Sequence, residues 1–320
     1  MIAQHIEGVL REKVVKWKHC SVVLFGSSFM RYGLVDSDVD LCLVPNGAGL
    51  TDSRQTEYPL TDSDVISWHK PTAPADNLKQ LEEMRQRVCS RIQMVNEDMQ
   101  NTTYQGIGVR NSQLLRVYSS FDDRARVLGI AVKRWAKRRS ITGPVNGFLS
   151  SYSIVLLTIY YLQLVDVLPN LHDRRLLEYA RVPMEYYTGV NIAFCTDLKV
   201  ARDFHQRATA GSNSSGLSLT ALLVGFFSFY AKQFDCTNRV VAVRSPDMPT
   251  PKRVLWNPAH IQAWRISIQD PIQASRDLGA VLKFEQNRIT MSELSRAHTM
   301  LTQGRSFDEV CAATQVFGES

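Results

Sequence analysis

Two aspartates separated by one residue are the feature of this sequence with the clearest chemical meaning. Residues 37–44, SDVDLCLV, predict a strand on which Asp38 and Asp40 share one face, because side chains alternate along a strand. Two carboxylates this close repel one another, and a bound divalent cation is the usual compensation. Oxygen ligands of this kind suit Mg²⁺, so the pair predicts a magnesium site.

A strand and a glycine-serine turn precede this pair. Residues 22–25, VVLF, form the apolar, β-branched run of a buried strand, and Gly26, Ser27 and Ser28 follow at once. The glycine permits a tight turn, after which amides and hydroxyls can cradle a phosphate. Phosphates beside a carboxylate-bound metal are the layout for phosphoryl or nucleotidyl transfer. The alternative is a surface turn with scattered acids, which the order of strand, turn, acid pair and strand disfavours.

A second group of candidate residues lies further along the chain. The apolar spacing of residues 111–139 predicts two helices, and Lys133 and Lys137 share one face of the second because they lie four residues apart. Ser151 and Tyr152 open a very apolar helix after a Gly-Pro loop. The tyrosine ring would stack on a base, the hydroxyl would cap the helix or bind phosphate, and the lysines would neutralise phosphate charge. The alternatives are a solvated basic face and a tyrosine at the edge of the core.

The composition is that of an ordinary globular protein with a basic surplus. The chain has 320 residues, 44% hydrophobic and 21% charged, with a formal net charge of +6, which suits a polyanionic partner. Its 6 cysteines are scattered without a CxxC pair and predict reduced thiols. The longest uncharged apolar stretch, near residues 154–164, is shorter than a membrane span, so we expect no membrane association. Glu7 and Glu12 argue weakly against a transit peptide, and the expected compartment is cytoplasmic or mitochondrial.

The pattern along the chain changes near residue 111. Before it, residues 2–17 and 78–90 predict helices and residues 91–99 a strand, whereas residues 45–77 are rich in Pro, Gly, Ser and Asp and predict an irregular insertion. After it, the pattern is mostly helical, which sets the expected domain boundary.

Three elements are expected towards the C-terminal end. Residues 217–235 predict an apolar helix, and NRVVAVR, residues 238–244, predicts a strand. An acidic turn, Asp270-Pro271, is expected before a short helix.

At this point the sequence resembles a known family. The glycine-serine turn followed by Asp-x-Asp is similar to the signature of the DNA polymerase β-like nucleotidyltransferases. The segments NSQLLRVYSSFDDRARVLGIAVKRWAKRR, GFLSSYSIVLLTIYYLQ, LTALLVGFFSFYAKQFD and SIQDPIQASRDLG resemble, in order, those of terminal uridylyltransferases and their cytoplasmic poly(A) polymerase relatives. GVRNSQLLR, residues 108–116, looks most like the minimal uridylyltransferases of trypanosomatids.

The resemblance implies a two-domain fold. Residues 1–110 would form an α/β nucleotidyltransferase palm, a mixed β-sheet with helices and an insertion at about 45–77. Residues 111–320 would form a mostly helical domain of the poly(A) polymerase-associated type, with the nucleotide in the cleft between the two.

The resemblance also implies an activity. The enzyme would add UMP from UTP to RNA 3′ ends without a template, by two-metal transfer with Mg²⁺ or alternatively Mn²⁺. The RNA would be held by the cleft itself or through an RNA-processing protein complex.

Roles for individual residues follow from the same resemblance. Gly26 and Ser27 would hold the triphosphate, and Asp38 and Asp40 the metals. The remaining matches are Asn111 and Ser112 for the ribose and pyrimidine, Lys133, Lys137 and Ser151 for the phosphates, Tyr152 for stacking on the base, and Asp270 for reading the uracil edge.

The sequence departs from the family at the third catalytic carboxylate. That register falls on Gln100, and a glutamine cannot accept a proton from an RNA hydroxyl. Asp98 lies two residues earlier and would share the strand face, so a β-bulge or a shift of register would bring it to the metals. Glu97 would need a shift to the other face. The alternative is a catalytically impaired protein that binds nucleotide or RNA.

A second departure concerns base choice. Family members that select UTP often carry a histidine and further acids just after the Asp-Pro turn. Here those positions hold Gln273 and Arg276. RNA adenylyl transfer, as in poly(A) polymerases, therefore stays open as an alternative, with Arg276 as a candidate nucleotide contact.

Overall fold

The computed structural model describes six stretches of the chain: residues 20–25, 30–32, 40–45, 102–187, 189–247 and 250–312. The helices predicted over 2–17 and 78–90, the strand over 91–99 and, beyond Pro45, the insertion over 45–77 lie outside the described residues.

The first two strands pair as an antiparallel ribbon. β1 spans Cys20–Phe25 and β2 spans Asp40–Pro45. In the register of the pair, Phe25 lies opposite Asp40 and Cys20 opposite Pro45. Both predicted strands are therefore confirmed. The backbone of Asp40 therefore lies at the end of the ribbon where β1 ends.

Two long helices follow. α1 spans Thr102–Phe121 and lies against both strands, and α2 spans Asp123–Arg138. Asp122 separates them and caps α2 by accepting a hydrogen bond from the Arg124 amide. The two predicted helices are confirmed, but α1 begins well before residue 111. Gly106 and Gly108 lower helix propensity in the sequence, and burial of Ile107 and Val109 overrides that preference.

The helix α3, Ser151–Leu164, lies at the centre of the mostly helical part of the chain. Every residue from Ser153 to Gln163 is buried, so the helix is apolar on all sides and enclosed by its neighbours. Ser150 caps its start by accepting a hydrogen bond from the Ser153 amide. α2 packs along it.

The remaining helices and strands complete the described part of the chain. They are α4 (Arg174–Tyr179), β3 (Tyr186–Tyr187), β4 (Val190–Asn191), α5 (Leu198–Ala208), α6 (Leu219–Ser228), β5 (Val240–Val241), α7 (Lys252–Leu255), β6 (Ser267–Ile268), α8 (Phe284–Thr302) and α9 (Phe307–Cys311). β3 and β4 pair antiparallel, and β5 and β6 pair parallel. Short 3₁₀ turns cover Pro144–Asn146, Asn213–Gly216, Pro258–His260 and Leu278–Val281.

Three of these elements correspond to predictions near the C-terminal end. The predicted apolar helix is α6, which continues as a π-helical turn over Phe229–Gln233. The predicted strand is present as the two-residue β5. The short helix expected after the acidic turn is the 3₁₀ turn Leu278–Val281, which Asp277 caps.

The core joins the helices to the segment between β1 and β2. Met30 and Tyr32 belong to the same cluster of buried residues as Trp135 of α2 and Phe226 and Phe227 of α6. The fold therefore has the expected class, a small β-containing part against a mostly helical part. Among the described helices, none has the length and apolarity to cross a membrane.

Candidate active site

A buried carboxylate, Asp270, is the centre of the site. Its exposed fraction is 0%, and its Oδ1 accepts hydrogen bonds from the backbone amides of Ile272 (2.9 Å) and Gln273 (3.0 Å). Asn111 of α1 donates through Nδ2 to both carboxylate oxygens, each at 3.3 Å. Burial raises the pKa of Asp270, although these hydrogen bonds oppose the rise. The turn and the asparagine together allow an acid to be held inside the protein.

Tyr152 lies beside this carboxylate. The residue is half-buried, but its hydroxyl is fully buried and has no hydrogen-bond partner within the described part of the chain. Burial first, and then the charge of Asp270, raise the pKa of Tyr152 well above its ordinary value. The residue packs against the core but keeps some exposed surface, which a stacking role for its ring requires.

Arg276 completes the group. Its side chain is exposed. Its positive charge opposes the rise that burial causes in the pKa values of Asp270 and Tyr152. The structure therefore brings together four of the candidates, Asn111, Tyr152, Asp270 and Arg276, from α1, α3 and the loop after β6.

Two buried polar atoms of this group, and one of the neighbouring Gln273, lack partners among the described residues. They are Asn111 Oδ1, the Tyr152 hydroxyl and Gln273 Oε1. Buried polar groups are nearly always hydrogen-bonded, so a cluster of such atoms marks a place that a ligand or water completes. All three belong to residues of, or next to, the Asp270 turn. The cluster suits a polar, planar group such as a nucleobase.

The two candidate serines occupy different environments. Ser151 is exposed at the first position of α3, where the positive end of the helix dipole favours a phosphate. The capping function that the sequence left open for this hydroxyl belongs to Ser150 instead. Ser112 is buried and donates a hydrogen bond to the carbonyl oxygen of Gly108, one turn earlier in α1.

The two candidate lysines also differ. Lys133 is buried, and its Nζ donates to the backbone carbonyl of Tyr32 at 2.6 Å, whereas Lys137 is exposed. A solvated basic face therefore does not describe Lys133. Its ammonium group lies against the segment between the Gly-Ser turn and the acid pair. Lys137, one helical turn further along α2, faces solvent, where it is accessible to a phosphate.

The remaining candidates lie outside the described residues: Gly26, Ser27, Ser28, Asp38 and Asp98. For Asp40 only the backbone is described, opposite Phe25. Within the described ranges, no cluster of three His, Cys, Asp or Glu side chains could hold a metal ion. The metal site predicted at Asp38 and Asp40 stays a prediction.

Two contacts made next to candidate residues were not predicted from the sequence. Arg244 is the last residue of the segment NRVVAVR, which was predicted as a strand, and its Nη1 donates to the Pro271 carbonyl at 2.9 Å, next to Asp270. The backbone carbonyl of Tyr32 accepts a hydrogen bond from Lys133, and the ring of Tyr32 packs against Gly129. A basic residue closing a strand is a weak signal for the first contact. No sequence signal indicated the second, since it joins elements far apart in the chain.

Comparison with known families identifies the class of protein. Residues 1–120 match the family described as the central palm domain of mitochondrial-like poly(A) RNA polymerase. Residues 218–276, which include Asp270 and Arg276, match the PAP-associated family of Cid1-type poly(A) polymerases. The fold and the two matches define a nucleotidyltransferase. Over these two regions the chain is similar to mitochondrial-like and Cid1-type poly(A) polymerases.

Relatives of both activities are similar to this chain. Poly(A) RNA polymerase GLD2 of Rattus norvegicus is 25% identical over 94% of this chain and 60% of its own length. Terminal uridylyltransferase 7 of Homo sapiens is 24% identical over 91% of this chain and 18% of its own length. The chain thus spans less than two thirds of these relatives. The finer resemblance to trypanosomatid enzymes stays a prediction.

Solved structures share the fold. Cid1 in complex with its short product ApU superposes with a TM-score of 0.66 at 23% identity, covering 98% of this chain and 90% of Cid1. A cytoplasmic RNA terminal U-transferase has a TM-score of 0.64 at 21% identity, covering 97% and 89% of the two chains. The expected fold, a palm with a PAP-associated domain, is confirmed.

Proposed function

We propose that this chain is a template-independent RNA uridylyltransferase, which adds UMP from UTP to RNA 3′ ends. The observation that carries the proposal is the convergence of Asn111, Tyr152, Asp270 and Arg276 around a set of buried, unpartnered polar atoms. These residues come from three separate elements. The arrangement supplies a ring for stacking, an acceptor and donors, which are the groups needed to bind a nucleobase.

The hydrogen bonding of Asp270 supports uracil as the base. Oδ1 already accepts three hydrogen bonds, whereas Oδ2 accepts one, from Asn111, and so keeps acceptor capacity. The pairing edge of uracil offers a single N–H between two carbonyl oxygens, which matches one remaining acceptor, directly or through water. The neighbouring Arg276 guanidinium would donate to a carbonyl of the base.

The phosphates would lie along α2, the start of α3 and the Gly-Ser turn. Lys133 and Lys137 would neutralise the charge of the pyrophosphate as it leaves, and the hydroxyls of Ser27 and Ser151 would donate to phosphate oxygens. Asp38 and Asp40 would supply the oxygen ligands that Mg²⁺, or Mn²⁺, prefers, and the bound metal would act as a Lewis acid on the phosphates. Asp98 would accept the proton of the attacking RNA 3′-hydroxyl.

Adenylyl transfer is the second candidate, and one observation favours it. A carboxylate acceptor beside a guanidinium donor also complements the N6 amino group and N1 of adenine. Asp270 and Arg276 offer these two groups, and the charge of Arg276 opposes the rise in the pKa of Asp270 that burial causes. Relatives that are poly(A) RNA polymerases match the chain alongside the uridylyltransferases. Asp270 and Arg276 therefore support binding of either base, and the preference must be measured.

The deciding experiment separates the two. The purified chain is incubated with a 5′-labelled RNA that has a free 3′-hydroxyl, with magnesium, and with each of the four nucleoside triphosphates in turn. We expect extension with UTP above that with ATP, and binding affinities in the same order. Extension with ATP alone would establish adenylyl transfer instead. No extension with any triphosphate, but retained nucleotide binding, would indicate an impaired enzyme.

A further inference from the structure

Residues 270–277 form a closed loop that carries two members of the base site. At its base, Gln269 and Asp277 form a β-bridge, and the Asp270 amide donates to the Arg276 carbonyl at 3.1 Å. The Arg276 amide in turn donates to the Gln273 carbonyl at 2.8 Å. The main chain of Arg276 is therefore bonded on both sides within the loop, while its guanidinium is exposed.

A tryptophan outside the loop contacts the same peptide unit. The indole Nε1 of Trp256 donates to the Ser275 carbonyl oxygen at 2.9 Å. The Ser275 carbonyl and the Arg276 amide belong to one planar peptide group. Trp256 and Gln273 thus hold its two opposite edges. Fixing that plane fixes the direction in which the Arg276 side chain leaves the backbone.

Trp256 is itself firmly anchored. It follows α7, and its amide donates to the Lys252 carbonyl at 3.1 Å. The Lys252 side chain is buried, 2% exposed, and its Nζ donates to the carbonyl oxygens of Gln262 at 3.0 Å and of Arg265 at 2.5 Å. A buried ammonium with several carbonyl partners ties residues 252–265 into one unit. The segment that holds the Trp256 indole is therefore separate from the base site.

We propose that Trp256 is a positioning residue for base selection, acting through the Ser275–Arg276 peptide to direct the Arg276 guanidinium towards Asp270 and Tyr152. The proposal rests on the proposed function, because selection between bases presupposes nucleotide binding. Without the indole donor, the peptide plane turns more freely and Arg276 samples directions away from the base.

The first test is Trp256→Phe, which keeps an aromatic ring and removes the N–H. We expect the ratio of UTP to ATP dissociation constants, measured by calorimetry without RNA, to move towards one by about fivefold, as for loss of one ordinary hydrogen bond. Trp264→Phe is the matched control. Its indole N–H donates to Gln262 Oε1 at 3.2 Å, within the same segment, and its ratio should equal the wild-type ratio. An unchanged ratio in Trp256→Phe overturns the proposal.

A double variant distinguishes positioning of the Arg276 side chain from general stabilisation of the loop. In Arg276→Ala, the further change Trp256→Phe should leave the UTP to ATP ratio unaltered, because the group that the tryptophan directs is gone. An equal effect in both backgrounds would show that Trp256 only supports the loop, and would overturn its role in selection.

Amide hydrogen exchange of the ligand-free protein tests the contact independently of nucleotide. We expect faster exchange of the Arg276 amide in Trp256→Phe than in Trp264→Phe or the wild type. Unchanged exchange overturns the Trp256 proposal whatever the protein binds. Failure of the wild type to bind any nucleoside triphosphate would instead overturn the proposed function, and the exchange result would still stand.

Discussion

The Nζ atom of Lys133 lies 2.6 Å from the backbone carbonyl oxygen of Tyr32. This hydrogen bond joins α2 to the segment that separates the Gly-Ser turn from the acid pair. The ring of Tyr32 is 1% exposed and rests against Gly129, one turn before Lys133 on the same helix. α2 therefore contacts Tyr32 twice: Lys133 binds its backbone carbonyl, and Gly129 leaves space for its ring. These two contacts position Tyr32 against the helical part.

The space that Gly129 leaves predicts the effect of Gly129→Ala. A Cβ atom at residue 129 would lie 2.5 Å from Tyr32 Cε1 and 2.8 Å from Cδ1, so the buried ring must move. Overpacking of this kind costs about 1–3 kcal/mol, which the better helix propensity of alanine offsets by about 1 kcal/mol. We expect a net loss of stability in urea unfolding and weaker UTP binding, since Lys133 bonds to the displaced segment.

Gly216→Ala is the control for this prediction. A Cβ at residue 216 meets nothing within 4 Å, and the residue lies in a surface 3₁₀ turn. Its unfolding midpoint and UTP affinity should match the wild type. Equal stability of Gly129→Ala and Gly216→Ala would contradict the tight contact between Tyr32 and α2.

Local patterns predicted the elements better than their contacts. The strands β1 and β2, the helix α2 and the buried helix α3 were predictable because strong periodicity and caps agree with the tertiary fold. The predicted start of α1 was wrong, because burial of residues 107 and 109 outweighs the low helix propensity of two neighbouring glycines. Periodicity carries no information about such tertiary compensation.

Long-range contacts in the site needed the fold or the family resemblance. Asn111 and Asp270 are hydrogen-bonded but lie 159 residues apart in sequence, and no local pattern indicates the pairing. The burial of Lys133 was likewise hidden, because spacing shows which helix face a residue occupies but not what covers that face. Only the resemblance named these residues as one site.

The burial of Asp270 predicts a distinctive pH dependence for Asp270→Asn. Because burial raises the folded-state pKa of this carboxyl, its contribution to stability is complete below about pH 4 and is lost as pH rises through the folded-state value. The asparagine keeps an oxygen for the amides of Ile272 and Gln273. The difference in Tm between the wild type and the variant should therefore be largest at low pH. It should decrease towards pH 7 and then become constant.

The same variant should lose nucleotide affinity. Replacing a charged acceptor by a neutral one weakens its hydrogen bond to the base, by about tenfold in Kd. Thermal melts from pH 4 to 8 and UTP titrations at pH 7 check the two effects. Parallel Tm profiles for wild type and variant would contradict the raised pKa, and unchanged UTP affinity would remove Asp270 from the base site.

The acid pair predicts the largest loss of activity. Asp38→Ala or Asp40→Ala should lower RNA extension by several orders of magnitude, because charge stabilisation by a bound metal is worth several kcal/mol. Neither change should alter the fold, which circular dichroism and the Tm verify. The double variant serves as the background for all transfer assays. Substantial extension by a correctly folded double variant would reject the metal site.

The third carboxylate provides the last prediction, since the register of QNTTYQGIGVRN places Gln100 where the family carries an aspartate. If Asp98 accepts the proton of the RNA 3′-hydroxyl, Asp98→Asn should be as inactive as Asp40→Ala, while binding UTP normally. Glu97→Gln is the matched control, because on a regular strand its side chain faces the other way. It should retain activity. Extension by Asp98→Asn at the wild-type level, however low that level is, would show that this acid has no catalytic role. In that case Gln100→Asp becomes the decisive variant: a large gain in extension would mean that the natural chain is an impaired enzyme whose base site is intact and whose third carboxylate is missing.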